Sequence, residues 1–537
     1  MGFSELNISL ALAAMTSGRF SIKKYIKDLK EPYPVIFADA PVRAEPDRPV
    51  PVACIIKNLE NESITLKKIK ITVMKKREPV FSARPVEKEV KIKSKFWHKV
   101  FYVSIPSGVH GEVEIDVSFK VNFRDLNKTF HNDSFRGTNH NPVKVFIGKE
   151  PLPAYKEYCF GDLFNREYFA RYEDHDCAPL RVKADFEYAK GNLFMAASDN
   201  SFDTIGFDGE NNNLTYEQKW LNFKENIENW NEKGEFVILP GELISCRNTT
   251  GKNINLIILN HKNPIKRYVN GKFGLVPEQT GFTLKEFLNN TGSRSISVAS
   301  EAAEKASLFE SMIKKKGIWN LQDLTDQGLT GIHVGIDKDY ELTSNEKLKW
   351  VFQLLNGGRK AIISGSNFYD YSMKKSRFGI PVFKKNGDRP AYNNSRIGII
   401  CSRPYTTDKI INSIKKGRVV VTNGPLLDFY LQNEHGEKAI LGGEITGTIF
   451  TLNYRFVSSP EFGPVKKLCL FSGDINTHKE ELIYNIHFQK NNYDLYGAID
   501  FEAPRNHSYV RGELFSEADS TIKFCLTNPI WLSEKTY

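Results

Sequence analysis

Eleven histidines are scattered along the 537 residues, and the densest cluster of metal-type donors is Glu173-Asp174-His175-Asp176. Mixed carboxylate and imidazole donors suit a divalent cation. Four adjacent residues converge poorly on one ion, because coordination needs donors aimed at a point from several directions. The same composition also makes a solvated turn, so the cluster reads as a loop before it reads as a site. No phosphate-binding G-x-x-x-x-G-K-[ST] loop, no G-x-G-x-x-G after a strand, no G-x-S-x-G elbow and no H-E-x-x-H helix occurs. The seven cysteines (54, 159, 177, 246, 401, 469 and 525) include no C-x-x-C pair. That spacing argues against a zinc ribbon, a dithiol redox motif or a disulfide framework, and predicts a reducing, cytoplasmic setting.

The elements that must position any site fall into several blocks. At 537 residues the chain is long enough for two to four domains. With 40% hydrophobic and 26% charged residues, and a mean hydropathy of −0.40, it has the balance of a soluble globular protein. No run approaches the roughly 18 apolar residues of a membrane span. The short apolar stretch Ile8–Met15 follows Glu5 and lacks a basic leader, so no secretory signal is expected. Net charge is +10, and much of the excess lies between Ser63 and Val100, with 12 Lys/Arg against 3 Asp/Glu. There Lys68 and Lys70, and then Lys91, Lys93 and Lys95, alternate with other residues as on the solvated face of a strand. A patch for a polyanion or membrane surface is the alternative, and no zinc-finger, helix-turn-helix or RRM signature supports nucleic-acid recognition.

Residues 1–30 read as a helical lead-in and 31–150 as an N-terminal β-sandwich. The clearest strand is Glu112–Phe123, where Val113, Ile115, Val117, Phe119, Val121 and Phe123 alternate with polar partners. Across 151–427 short apolar runs alternate with helical segments such as Tyr216–Asn229 and Ser344–Leu355, and Thr283 is placed to cap a helix. Strand–helix alternation over this length predicts an α/β sheet or barrel. Residues 428–537 return to strands, including Ile449–Phe456 and Ser508–Phe515, and predict a second sandwich.

The central block carries a series of short motifs in order: Gly161-Asp162-Leu163, Ser198-Asp199-Asn200-Ser201-Phe202-Asp203, and Pro240-Gly241-Glu242 followed by Ile244-Ser245. They continue with Gly317-Ile318-Trp319, Trp350 with Leu354-Leu355-Asn356-Gly357, Gly365-Ser366-Asn367 and Val421-Thr422-Asn423-Gly424-Pro425. In order and spacing this region resembles the polymerase-and-histidinol-phosphatase (PHP) superfamily, in its carbaryl-hydrolase-like branch of metal-dependent hydrolases. Thr527-Asn528-Pro529-Ile530 extends the resemblance into the last block. The resemblance implies a distorted β/α barrel with metals at the C-terminal ends of its strands.

At the positions where that family holds its metal ligands, this sequence departs. The two histidines of the opening motif are Phe164 and Arg166, and the acidic ligand that follows falls at Tyr172. A further histidine is Asn200, the glutamate of the Pro-Gly motif is Leu243, and the next histidine is Asn255. The late Asp-x-His pair is Asn367 and Tyr369. Phe and Leu donate nothing to a cation, Asn offers a weak neutral oxygen, and Tyr is protonated at neutral pH. Arg166 adds a fixed positive charge where the cation would sit.

These substitutions predict a three-part protein without metal or other cofactor: a non-catalytic PHP-like pseudoenzyme with a binding or assembly role. Asp162, Asp199 and Asp203 remain around the vestigial pocket, and Arg166 either pairs with one of them or receives an anionic ligand. Tyr172 and Tyr369 partly fill the space. Arg396, Asn423 and Gly424 read as scaffold. One rival is a hydrolase with relocated ligands drawn from Asp162, Asp199, Asp203, Glu242 and His175. Another is a small-molecule or carbohydrate binder using the old cleft. The lysine-rich face of the first sandwich is a candidate surface for an acidic protein partner.

Overall fold

A computed structural model describes residues 35–57, 63–94, 96–132, 142–163, 179–200, 216–231, 234–263, 282–300, 317–335, 344–365, 395–502 and 508–533. The protein is β-rich and built from several cores. In the first, a three-stranded sheet (Val35–Asp39, Val50–Lys57, Phe96–Val103) packs on a seven-stranded one. The alternation read at 112–123 is realised as the strand Gly111–Phe123, with Ile115, Val117, Phe119 and Val121 fully buried. They share a core with Val52, Cys54 and Ile56 of the smaller sheet, the layered solution by which two half-apolar sheets leave water. Lys70, Lys91 and Lys93 stand on the solvent side, while Lys95 lies outside the described residues.

The central block is organised around nine strands: β1 (Tyr158–Asp162), β2 (Phe194–Asn200), β3 (Val237–Arg247), β4 (Asn253–Leu259), β5 (Ile296–Ala299), β6 (Gly331–His333), β7 (Ala361–Ile363), β8 (Arg396–Ile400) and β9 (Val419–Thr422). Their helices are α1 (Leu180–Ala189), α2 (Tyr216–Asn231), α3 (Leu284–Asn290), α4 (Leu321–Leu324), α5 (Ser344–Leu355) and α6 (Thr407–Lys415). Thr283 caps α3 as its position suggested, with Glu286 returning the bond to form a capping box. In space the strands run β7-β6-β5-β4-β3-β2-β1-β8-β9.

Simple strand–helix alternation would make every neighbour parallel, and the structure departs from that twice. β1, β2 and β3 are parallel, as are β5, β6 and β7, but β4 is antiparallel to both its neighbours. The reason is a tight β3–β4 turn. The Asn248 side chain accepts from the amides of Thr250 and Lys252, and Gly251 takes the left-handed φ of +76° that a residue with a Cβ adopts at a cost. β8 and β9 likewise run antiparallel to β1 and to each other. The curled sheet brings β7 against β9. No ladder between them closes it into a barrel among the described residues. Asn528 fills that seam, its side-chain oxygen accepting from the Ile362 amide at 2.9 Å while its own amide donates to Val419.

β9 also pairs with the strand Thr521–Thr527, so the same sheet continues into the strands of the last block, Ser508–Ala518, Val465–Asp474 and Lys479–Asn492. A four-stranded sheet from Leu426–Asn433, Lys438–Ile440, Ile449–Val457 and Asp494–Glu502 lies across it. Phe429, Phe450, Leu452, Leu468, Leu470 and Leu514 fill the space between. Helix α1 joins the first two blocks, since Val182 and Phe186 pack on Phe37, Ala53 and Ile55 while Ala184 packs on Met195 and Ala197.

Candidate functional site

The C-terminal ends of the parallel strands are where the sequence places its vestigial pocket. Strand register decides what those ends present, because successive side chains alternate between faces. On β2 and β3, Met195, Ala197 and Ile238 pack under α1 and α2. Phe194, Ala196, Val237 and Leu239 belong to the opposite, inner face. Asp162 is in register with Met195 and therefore lies on the helix side. Glu242 follows Ile238 by four residues and also falls on the helix side. Leu243 packs on the inner core, and Asn255, level with Ser245 one strand over, is half-buried. By register Asp199 sits beside Glu242 and Asn200 beside Leu243.

Asp162 and Glu242 are therefore not gathered around one inner cavity. Asp162 is fully buried near Glu187 of α1. Burial, with the added repulsion of Asp162, keeps the Glu187 carboxyl above the usual range against the attraction of Lys190 at 2.5 Å. Asn192 also donates to Glu187, at 2.5 Å. Asp162 is level with Met195 and so with Ile238, and Glu242 stands four residues further along with β2 between the two strands, which separates their backbones by roughly 16 Å at ordinary strand geometry.

Glu242 is fully buried, and its Oε2 lies 2.5 Å from Nε2 of His261. The imidazole is stacked on Trp220 of α2, with centroids 4.3 Å apart and planes 25° from parallel. The turn after β4 delivers His261 to this point: Asn260, at φ +58°, donates its amide to Pro240 at 2.6 Å and its side chain to Arg294. Nδ1 of His261 and Nε1 of Trp220 are buried and have no hydrogen-bond partner among the described residues. A carboxylate–imidazole pair can orient a base, but this one is sealed beneath an indole, and what the arrangement does is hold α2 to the end of β3. Replacing His261 by Ala is expected to cost about 3–5 kcal/mol, since the fully buried Glu242 loses its contact with the imidazole and α2 loses the stacked ring. Urea unfolding of H261A checks this, and the double change with Glu242→Leu should recover most of the loss. A cost under about 1 kcal/mol would show the pair to be idle.

Sequence reasoning missed His261, which no local motif marks and which only the β3–β4 hairpin brings to Glu242. It also missed His333, buried at the end of β6 on the inner face, in register with Ile363. Glu346 of α5 accepts from the Gly335 amide, and a Cβ on Gly335 would lie 3.0 Å from Glu346 and 3.5 Å from the His333 ring. Phe164, Arg166, Tyr172, Asp203, Asn367 and Tyr369, with the cluster Glu173-Asp174-His175-Asp176, lie outside the described residues.

The three scaffold residues are structural. Arg396 is buried, with its guanidinium 3.9 Å from the Phe160 ring and 2.7 Å from the Pro153 carbonyl. Asn423 accepts from the Phe524 amide, and Gly424 donates to the Thr422 hydroxyl.

The metal that a PHP-type barrel implies does not fit the donors that are described. Leu243 has no lone pair to give, Asn255 offers an amide, and Glu242 is bonded to His261 on the other face. Among the described residues no three His, Cys, Asp or Glu side chains come together as a metal set.

No family model matches the chain, and no curated protein matches it. Among solved structures the chain is similar to the Paenibacillus sp. cycloisomaltooligosaccharide glucanotransferase, with 10% identity over 92% of this chain and 71% of that one, at a TM-score of 0.18. It is also similar to Bacteroides uniformis β-glucuronidase 2 (8% identity, 93% and 61% covered, TM-score 0.19) and to the Parabacteroides merdae β-glucuronidase (7%, 94% and 64%, TM-score 0.19). The chain thus spans less than two thirds of either glucuronidase, and TM-scores this low carry no argument about fold or activity.

Proposed function

We propose that the chain is a non-catalytic, PHP-like pseudoenzyme retained for binding or assembly. The observation that carries this reading is the position of Glu242. The acid best placed in sequence to replace a lost ligand is turned to the helix side and bonded to His261, while the inner face at that level holds Leu243. A hydrolase with relocated ligands needs at least three of Asp162, Asp199, Asp203, Glu242 and His175 to converge; of these, Asp162 and Glu242 are held apart by the intervening strand, and Asp203 and His175 lie outside the described residues. The flanking sandwiches then supply the working surfaces, with the exposed Lys70, Lys91 and Lys93 of the first suited to an acidic protein partner.

Metal content of the purified full chain tests the reading. After incubation with zinc and manganese and desalting, inductively coupled plasma mass spectrometry should find less than about a tenth of an equivalent, because intact sites retain their metals through such handling. Close to one equivalent would overturn the pseudoenzyme and move the hydrolase to first place.

A further inference from the structure

The N-terminal edge of the central strands carries a second concavity, remote from the strand ends discussed so far. The turns after α3, α4 and α5 and the last turn of α6 enclose a cleft of about 580 Å³. Its lining includes Arg359, Lys360 and Lys415 and no carboxylate. Arg359 is already paired with Glu444 at 2.8 Å. The two lysines are committed only in part. Lys360 donates to the Asp326 carbonyl at 2.7 Å, and Lys415 donates to the Ser293 carbonyl. An ammonium has three N–H donors, so each retains capacity after one such bond.

The charge balance at Lys360 is incomplete. Its residue is only 7% exposed. Burial draws its ammonium down from the ordinary lysine range to about 8, and the Asp326 charge opposes this without cancelling it. Lys415 is also lowered by partial burial. An anion entering from solvent would supply the missing compensation, and the two remaining sets of N–H donors would bond it directly. The volume exceeds what one inorganic oxyanion fills and lies within the ordinary span of small-molecule sites, roughly 300–1,000 Å³. Thr291 and Ser295 already spend their hydroxyl protons on backbone carbonyls, so toward the cleft they offer lone pairs, which suits hydroxyl groups on a ligand.

We propose that this cleft binds a small phosphorylated, hydroxyl-bearing molecule, with its phosphate held by Lys360 and Lys415. The site is independent of the vestigial pocket and does not depend on whether the chain binds metal.

Isothermal titration of the full chain with inorganic phosphate, against chloride at matched ionic strength, tests it. One equivalent of phosphate is expected to bind at pH 8, with a heat that changes between buffers of different ionisation enthalpy as Lys360 takes up a proton. Lys360→Gln and Lys415→Gln should each weaken binding about tenfold or more, and Lys416→Gln, at the neighbouring exposed position, should leave it unchanged. Thermal unfolding in chloride confirms that the variants are folded. Equal binding by the Lys360→Gln/Lys415→Gln double variant, or no phosphate binding by the wild type up to millimolar concentration, would each overturn the proposal.

Discussion

Replacing Arg511 by Met is expected to cost about 3–5 kcal/mol, the range seen when one member of a buried ionic network is removed. The guanidinium is 2% exposed and holds both oxygens of Glu480, at 2.7 and 2.6 Å, and one of Glu513 at 2.5 Å. Lys347 of α5 reaches Glu513 at 3.2 Å, and the Tyr509 hydroxyl donates to Glu480 at 2.8 Å. The cation also lies 4.3 Å from the Phe471 ring and 5.5 Å from that of Trp350. Burial works against the guanidinium's charge, and the two carboxylates outweigh it. With Met in place, Glu480 and Glu513 both lose their shared cation, and Glu513 keeps Lys347. The midpoint of urea unfolding in R511M, followed by tryptophan fluorescence, measures the loss. A shift equivalent to under about 1 kcal/mol would contradict it, and replacing all three charges by apolar residues should recover most of the stability.

The same network sets a pH dependence. Burial pushes Glu513 up, but Arg511 and Lys347 outweigh it and hold its carboxyl below the ordinary range. A folded-state value below the unfolded one means stability that is fully present above about pH 4.5 and is lost as pH falls through the lowered folded value. Glu513→Gln should flatten that acid limb.

Arg43→Met is the second large effect, again about 3–5 kcal/mol. Arg43 is fully buried and bonds Glu461 through two parallel contacts of 2.9 Å, with Glu45 at 3.1 Å and the carbonyls of Lys190 and Glu150 at 3.4 Å. One side chain thus joins the first sandwich, the loop after α1 and the last block. Glu45 gains less than its neighbours: burial keeps its carboxyl raised despite Arg43, and both oxygens accept from the Leu152 amide. Hydrogen exchange of R43M should show protection lost in the segments 39–45 and 458–463 together. Loss in the first alone would mean that Glu461 is not part of the staple.

Alternation along 112–123 made one sandwich strand readable because one face of that sheet meets water and the other does not. The last block was readable for the same reason. Harder to see was the antiparallel β4, since its reversal depends on the Asn248 side chain bonding the next turn, and both β3 and β4 read as buried apolar runs whichever way they point. Of the positions read as substituted ligands, register places only a few, and it separates two neighbours. Leu243 and Glu242 are adjacent in sequence and face opposite layers, so retained acidity at 242 says nothing about the inner face at 243. His261 and Arg511 carry much of the local electrostatics, yet no local motif marks either residue. The meaning of each comes only from a partner 19 or 31 residues away.

The pairing of β9 with Thr521–Thr527 bears on how such a chain is inherited. A gene truncated after the last residue of the central block would leave Val419–Thr422 paired with β8 on one edge and unpaired on the other, with Val419 and Val421 beside that edge. A bare, apolar sheet margin of that kind recruits other chains and precipitates. The central and last blocks therefore share one sheet, and recombination at their boundary is expected to expose its edge.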